Sequence, residues 1–567
     1  MLQLVECVPN FSEGKNRDTI DAISQAITAV SGVKLLDVDP GADTHRTVVT
    51  FVGAPEAVLQ AAYQAIATAA ERIDMTMHRG AHPRLGATDV CPFIPVSGVT
   101  MEECIELARR LGKRVGDELS IPVYLYEQAT TRDERRNLAA IREGEYEGLK
   151  QKLARPEWRP DFGPARFNPR SGATVIGARE FLIAYNVNLN TADRALAQDI
   201  ALTIRESGRL RRDDRGQILR DADGNELRIP GALRAVKAVG WTIAERKLAQ
   251  VSINLTNYKI TPPHVAFEEV RKQARRRGLR VTGSELVGLI PKEAMLSAGR
   301  YYLEQQGKSP GVPEAELVRV AVQSLGLGEF GPFDPQKKIL EYQFEDGSTA
   351  RLAGMTLRAF VDELSSDAPA PGGGSVAALM GSLAAALAAM VANLTVGKKG
   401  QEGAWEEMKS VAVEAQQLKD FFLVQADRDA EAFNAVMAAI RLPAATEGER
   451  AAKEAAIQEA TKGAVRVPLE VLEKTLPVLA LARRDAERGN PNARSDAGVA
   501  ALAARAAARG AYYNVLINLK SIKDEAWVQK KLRAAEDLVA RSERAADAVE
   551  SLIREHLALG ERAPSRT

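Results

Sequence analysis

Cysteine, histidine and aromatic residues are all scarce in this chain: 3 Cys, 5 His and 5% Phe, Trp and Tyr in 567 residues. Cys7, Cys91 and Cys104 form neither a CxxC pair nor a disulfide framework. That excludes a small disulfide-stapled fold and points to a reducing, cytoplasmic setting. A surplus of either charge is missing too: Lys+Arg is 76 and Asp+Glu is 75, a net charge of +1. Such a balance argues against a dedicated nucleic-acid binder, while leaving room for a local basic pocket. No basic segment followed by an apolar run opens the chain, because Glu6 and Pro9 interrupt the start, so no signal peptide is expected. One uncharged stretch, 375–395, is long enough to cross a bilayer. It is mostly Ala and Gly with Ser and Asn, and is expected to be a packed core helix and no membrane span.

What is present is ample for folding. Hydrophobic residues make up 45%, which excludes disorder as the main state. The length allows about three or four folded units. Up to about residue 335 the chain alternates strand-like and helix-like segments. Residues 34–36, 47–52, 123–126, 181–188 and 249–256 read as strands. Residues 16–30, 55–73, 101–119 and 192–207 read as amphipathic helices. Thr261-Pro262-Pro263 opens a basic helix to Arg277, with Thr261 as the expected N-cap. The pattern suggests two α/β subdomains. Between them, the polar stretch 207–230 reads as a surface hairpin turning at Asp223-Gly224. Asp221 and Asp223 lack the remaining ligands of a calcium loop. From about Leu352 strand signals vanish. Helices are expected over 356–366, 374–395, 404–437, 447–465, 467–486, 495–508, 511–522 and 525–557, an all-helical bundle. The linker falls near 332–354, with a turn in 343–349.

The chemistry-bearing residues are few enough to weigh singly. His78 and His82 stand four apart, but Gly80 and Pro83 argue against a helix through the pair, and no HExxH glutamate lies inside it, so a metal site is disfavoured. In its Arg- and Gly-rich loop His82 is suited to take or give a proton near neutral pH; a structural histidine bonded to backbone is the alternative. Asp37, Asp39 and Asp43 follow a strand and precede or flank Pro-Gly. They are either functional groups at a strand end or turn formers. In PARFNPRSG, Arg166 and Arg170 alternate with Phe167 and Asn168. Guanidinium forks suit carboxylates and an aromatic face suits a flat heterocycle; a solvated loop is the alternative. DAPAPGGGS lacks the Lys-Ser/Thr of a P-loop and the strand before a dinucleotide fingerprint. Nucleotide binding is therefore disfavoured, and its glycines serve anion contact or close helix approach. Asp429 shares a helix face with Ala432 and Phe433. A carboxyl on an apolar face is costly unless it is paired or catalytic.

Longer strings carry a resemblance. LVECVPNFSEGKN, LLDVDPGADTHRTVVTFVG, HRGAHPRLGATDVCPFIPV, DFGPARFNPRSGATVIGAREFLIAYNVNL and GSELVGLIP resemble glutamate formimidoyltransferases. APAPGGGSVAA, DRDAEAFNAVMAAIRLP, RSDAGVAA and GAYYNVLINLKSIKDEA resemble formimidoyltetrahydrofolate cyclodeaminases. In this order, over nearly the whole chain, they resemble the bifunctional formimidoyltransferase-cyclodeaminase family of histidine degradation. The implied fold class is a multi-domain α+β and α protein. Residues 1–180 and 181–331 are the two transferase subdomains, 332–354 a linker and 355–560 a helical cyclodeaminase domain.

The resemblance implies transfer of a formimidoyl group from N-formimidoyl-L-glutamate to N5 of tetrahydrofolate, then cyclisation to 5,10-methenyltetrahydrofolate with loss of ammonia. His82 matches the family's catalytic histidine, with Asp39 orienting the imidazole. Gly163, Pro164, Ala165, Arg166, Phe167, Asn168, Pro169, Arg170, Ser171 and Gly172 match its folate-binding segment. Arg166 and Arg170 are candidates for the folate carboxylates on charge alone. Gly231 is a further folate contact, as is Glu285, where mammalian relatives carry Gln. Asp429 matches the catalytic aspartate of the second reaction. Tetrahydrofolate, polyglutamylated, is the co-substrate, and no metal is implied. A homo-oligomer through helical and transferase domains is implied, with a tethered folate tail that allows passage between sites. The alternatives are a helical domain acting as a methenyltetrahydrofolate cyclohydrolase, or as a non-catalytic assembly module.

Overall fold

The computed structural model describes residues 3–42, 45–80, 82–343 and 352–557. They fall into two compact units, residues 1–186 with 191–261, and residues 187–190 with 262–567. Asp43 and most of the 343–349 turn lie outside the described residues.

The first unit is built on a seven-stranded sheet: β1 (Leu4–Cys7), β2 (Asn10–Phe11), β3 (Val33–Gly41), β4 (Arg46–Gly53), β5 (Thr88–Ser97), β6 (Val123–Glu127) and β7 (Thr174–Ala178). β1 and β2 are two parts of one interrupted central strand, each pairing antiparallel with β4 on one side and β5 on the other. Pro9 falls in the interruption, where a residue without an N–H costs no ladder bond. β3 closes the β4 edge antiparallel, while β5, β7 and β6 run parallel. Helices α1 (Arg17–Thr28), α2 (Pro55–Arg72) and α3 (Met101–Leu119) bury one face of the sheet with Val5, Cys7, Phe51, Cys91 and Phe93. α3 starts at a capping box, Thr100 with Glu103, and packs Cys104, Leu107, Leu111 and Val115 inward at helical spacing. The other face carries Val90, Tyr124, Tyr126 and Val175 beneath α4 (Leu138–Arg142) and α5 (Glu145–Leu153). β5 was not read as a strand from sequence; its two prolines mask a run that is fully buried over its first seven residues.

The unit continues with β8 (Ile183–Leu189), α6 (Arg194–Ile204), β9 (Arg209–Leu210), β10 (Arg228–Ile229), β11 (Val236–Ile243) and β12 (Leu248–Leu255). β11 and β12 form a hairpin, and β12 neighbours β8. The 207–230 stretch corrects the expected single hairpin. It is a three-pass meander with two equivalent turns, in which Asp213 and Asp221 each accept backbone N–H groups two and four residues on. Asp221 is thus a turn former.

The second unit opens on α7 (Pro263–Arg276). Its N-cap is Pro262, not Thr261, whose hydroxyl instead donates to Arg234 O in the first unit's own loop. β13 (Val281–Val287), α8 (Lys292–Gln305), α9 (Glu314–Leu325) and α10 (Pro335–Lys338) follow. The stretch expected as a linker therefore begins as packed structure: Ile339 and Leu340 are fully buried and tied to Ile290. The bundle contains α11 (Leu357–Leu364), α12 (Gly373–Thr395), α13 (Trp405–Ile440), α14 (Glu447–Arg488), α15 (Arg494–Leu519) and α16 (Glu525–Leu557). Two expected breaks are absent. α14 runs through Pro468 and Pro477, although proline removes a helical hydrogen bond. The carbonyl orphaned by Pro468 is that of Ala464, and Asn518 Nδ2 donates to it from α15 at 3.0 Å. α15 runs through Gly510 because that glycine lies against Ala377 of α12. α12 is long and apolar enough to span a membrane, yet 61% of its most apolar window is buried in the bundle, chiefly through alanines.

Candidate functional site

Three of the five histidines converge in the first unit. His82 follows Gly80 in a loop whose continuation is locked to the 163–172 segment: Gly86 bridges Gly172, and Ala87 and Ala173 exchange backbone bonds with Ser171 and Leu85. Both glycines are required, since a Cβ on Gly172 would lie 2.7 Å from Gly86 Cα and one on Gly86 would lie 2.8 Å from Ala173 N. Arg46, the first residue of β4, donates from a guanidinium nitrogen to His82 Nε2 at 2.7 Å. That nitrogen must therefore present its lone pair. Burial, then the positive charges of Arg46 and Arg142, push the His82 pKa down, with Asp89 pulling the other way. The imidazole is thus held neutral, the form that accepts a proton.

Asp89 is buried at the start of β5, takes the Leu85 N–H at 3.0 Å and pairs closely with Arg142. The structure brings Arg46 and this Asp89–Arg142 pair to His82. Asp39 sits exposed on β3 opposite Val48, and its charge acts on Arg46. Arg46, Asp89 and Arg142 were missed in the sequence. The one available signal was an aspartate leading a buried strand, ATDVCPFIPV, which demands a cation. His78 is committed to structure: its Nε2 donates to His45 O at 2.9 Å and its Nδ1 accepts from Arg84 at 3.3 Å. Arg84 in turn holds Glu145 and Glu147. With these nitrogens occupied, His78 and His82 do not form a metal pair, and among the described residues no group of three or more His, Cys, Asp or Glu is placed to hold an ion.

Of the folate-segment candidates, Gly163, Pro164, Ala165, Arg166, Pro169 and Arg170 are exposed, while Ser171 and Gly172 are buried. Asn168 shapes the turn by accepting the N–H groups of Arg170 and Ser171. Phe167 lies half-buried against Tyr146, ring centroids 5.5 Å apart. Arg170 spends its guanidinium on Glu71 O at the end of α2, so Arg166 is the exposed cation of the pair. The base of the segment is anchored by Arg135, fully buried, which bonds Asp161, Glu157 O and Arg159 O. Gly231 sits against the Arg205 carbonyl, and a cavity of about 470 Å³ opens beside Arg205, Glu206 and Lys237. Glu285 lies half-buried on β13 in the second unit.

The second unit holds Asp429 where α13 meets the first turn of α12. Ser375 Oγ lies 3.0 Å from its Oδ2 and 3.1 Å from Ala426 O. Gly374 makes the approach possible, because a Cβ there would lie 2.5 Å from the carboxyl carbon. Burial raises the Asp429 pKa; bonds from the Ser375 hydroxyl and N–H offset only part of it. The glycines of APAPGGGS thus serve close approach around a carboxyl. Phe433, expected on the buried face, is exposed, because α13 leaves the bundle core beyond Asp429. A cavity of about 200 Å³ opens on the neighbouring face, lined by Pro371, Asp427, Glu431 and Asn434.

Comparisons with known proteins agree on both units. Residues 4–179 match the family model of the formiminotransferase domain N-terminal subdomain, 184–345 that of the formiminotransferase domain, and 356–537 that of formiminotransferase-cyclodeaminase. The chain is 45% identical over 531 residues to a formimidoyltransferase-cyclodeaminase of Rattus norvegicus, covering 94% of this chain and 95% of the relative. A glutamate formimidoyltransferase of Thermoplasma acidophilum is 45% identical over 312 residues, covering 55% of this chain and 95% of the relative. A methenyltetrahydrofolate cyclohydrolase of Methylorubrum extorquens is 43% identical over 187 residues, covering 33% of this chain and 90% of the relative. With a neutral imidazole beside an arginine in one unit, a raised carboxyl at a helix start in the other, and full-length relatives that join the two, this chain belongs to the formimidoyltransferase-cyclodeaminase family.

Proposed function

We propose that the chain is a cytoplasmic, bifunctional folate enzyme of histidine degradation. Residues 1–331 transfer the formimidoyl group from N-formimidoyl-L-glutamate to N5 of tetrahydrofolate, and residues 355–560 cyclise the product. The observation that carries this is the pair of proton-handling groups, each tuned by its surroundings toward neutral-pH chemistry. His82, neutral, takes the N5 proton as N5 bonds to the amidine carbon, and returns one to the glutamate nitrogen as that C–N bond breaks. Arg46 fixes the ring, and Asp39 acts on Arg46 by charge. The segment from Gly163 to Gly172, with Gly231 and Glu285, is the folate surface, and Arg166 is its exposed anion contact. In the second reaction N10 bonds to the amidine carbon, and Asp429 supplies the proton with which ammonia leaves. A polyglutamylated folate suits a protein with two such sites on one chain.

A homo-oligomer is supported by a row of apolar side chains on α12, Val376, Met380, Leu383, Leu387, Met390 and Leu394. They alternate four and three residues apart, the spacing of a helix-pairing seam. Leu383 is 52% and Leu394 51% exposed, so this seam is open on the single chain. Leu383→Glu is expected to lower the mass measured by light scattering; an unchanged mass would place the contact elsewhere.

The function is tested by supplying formimidoylglutamate and tetrahydrofolate and following glutamate, methenyltetrahydrofolate and ammonia together. All three are expected in equal amounts. The Methylorubrum extorquens relative favours one second reading, in which the helical part adds water to methenylfolate. Glutamate release with no ammonia, together with hydrolysis of added methenyltetrahydrofolate, would establish that reading.

A further inference from the structure

We propose that His45 is a positioning residue of the transferase site, held as an imidazolium between Glu13 and the backbone of Arg79, where it clamps the loop that carries His82. His45 Nδ1 lies 2.7 Å from Arg79 O, and Nε2 lies 3.1 Å from Glu13 Oε1. A carbonyl and a carboxylate only accept, so both contacts are made only when both ring nitrogens carry protons. The carboxylate is prepared for this role. Burial works against its charge, but the N–H groups of Asn16 and Lys15 and the charge on His45 outweigh burial and hold the Glu13 pKa below the usual range. The ring also stacks on His78, centroids 4.3 Å apart and 16° from parallel, and His45 O receives His78 Nε2. One residue thus ties the turn before α1 to both His78 and Arg79, and His82 follows three positions later.

Other charges face this ring. Arg46, the neighbour in β4, together with His82, Arg84 and Asp89, lines the same recess. Arg84 is neutralised by Glu145 and Glu147, and Asp89 by Arg142. His78 and His82 are both pushed toward the neutral state, by burial first. Glu13 is therefore the anion that selects the charged state of His45. The backbone supports the same reading. His45 adopts φ +50°, a conformation that most side chains avoid and that persists where surroundings over-determine it. Gly14 admits the Glu13 turn against β4, since a Cβ there would lie 2.7 Å from Arg46 N.

The consequence is a second proton in the rate. When rising pH strips one proton from His45, a bare nitrogen faces an acceptor and one of the two contacts is lost. The His82 loop then loosens and transfer falls on the alkaline side. This rests on His82 being the transferase base, and the test separates the two claims. The full chain, labelled with ¹⁵N-histidine, is examined by NMR, with His45→Asn identifying the signal; Asn tolerates left-handed φ, so the turn is retained. At a pH where His78 and His82 each show one bare ring nitrogen, His45 is expected to show none, and in Glu13→Gln to lose a proton at lower pH. In His45→Asn, kcat for glutamate release is expected to fall about 10-fold with KM for folate unchanged, and the alkaline decline to flatten. A bare nitrogen on His45 under that condition, or an alkaline limb identical in His45→Asn, would overturn the clamp. Full activity in His82→Ala would instead overturn the role of His82, leaving the NMR result standing.

Discussion

Gly374→Ala tests the second site with a single methyl group. The added Cβ would lie 2.5 Å from the Asp429 carboxyl carbon and 2.6 Å from its Oδ2, well inside van der Waals contact. Either the carboxyl swings away or α12 and α13 part. Overpacking of this kind costs about 1–3 kcal/mol, and the gain of Ala over Gly in a helix offsets about 1 kcal/mol, so the net loss of stability is at most about 2 kcal/mol. The chemical effect is larger, because displacing a proton donor by about 1 Å costs on the order of 10²-fold in rate. The assay is the coupled reaction with its two halves read separately. Glutamate release is expected at the parent rate, because the substitution lies in the second unit, while methenyltetrahydrofolate and ammonia appear about 100-fold more slowly. Thermal unfolding confirms that the chain is folded. Parent-like ammonia release from folded Gly374→Ala would refute the assignment of Asp429, since a carboxyl that tolerates this displacement is not the group that protonates the leaving nitrogen.

Arg46→Gln removes a cation bonded to His82. The imidazolium is then less disfavoured and its pKa rises, so the acid limb of glutamate release is expected to move to higher pH; an acid limb that stays in place would remove Arg46 from the account. Glu6 is buried in β1 and pushed up to about 7 from 4.5, by burial against the charge of Arg179. The folded chain therefore binds this proton more tightly than the unfolded chain, and stability falls as pH rises through that window. Glu6→Gln is expected to remove about 3 kcal/mol of that pH dependence, read from denaturant unfolding at the two ends of the range. Asn518→Ala leaves the Ala464 carbonyl inside the bundle with no donor, at a cost of about 1–3 kcal/mol. Restoring the helical N–H with Pro468→Ala is expected to recover most of that loss, and strictly additive effects of the two substitutions would show that Asn518 does not replace the proline's missing donor.

Several elements are determined by sequence alone, because their signals are local. α3 ends where its capping box and apolar spacing say it should, and α1, α2 and α16 follow the same logic. The strings around His82, the folate segment and Asp429 are long enough to identify the family without any structure. Other features follow from contacts between distant residues. The 447–488 helix survives its prolines because a side chain from another helix completes the hydrogen bond at Ala464. The helix through Gly510 continues because small residues on two helices meet. Likewise, no spacing rule could select Arg46 over Asp39 as the partner of His82. That choice depends on strand register: pairing Asp39 with Val48 places Asp39 at the exposed edge, while Arg46 leads the strand toward the histidine loop. Which groups can transfer protons was legible in the sequence. Their protonation states are decided by burial and by the charges the fold brings beside them.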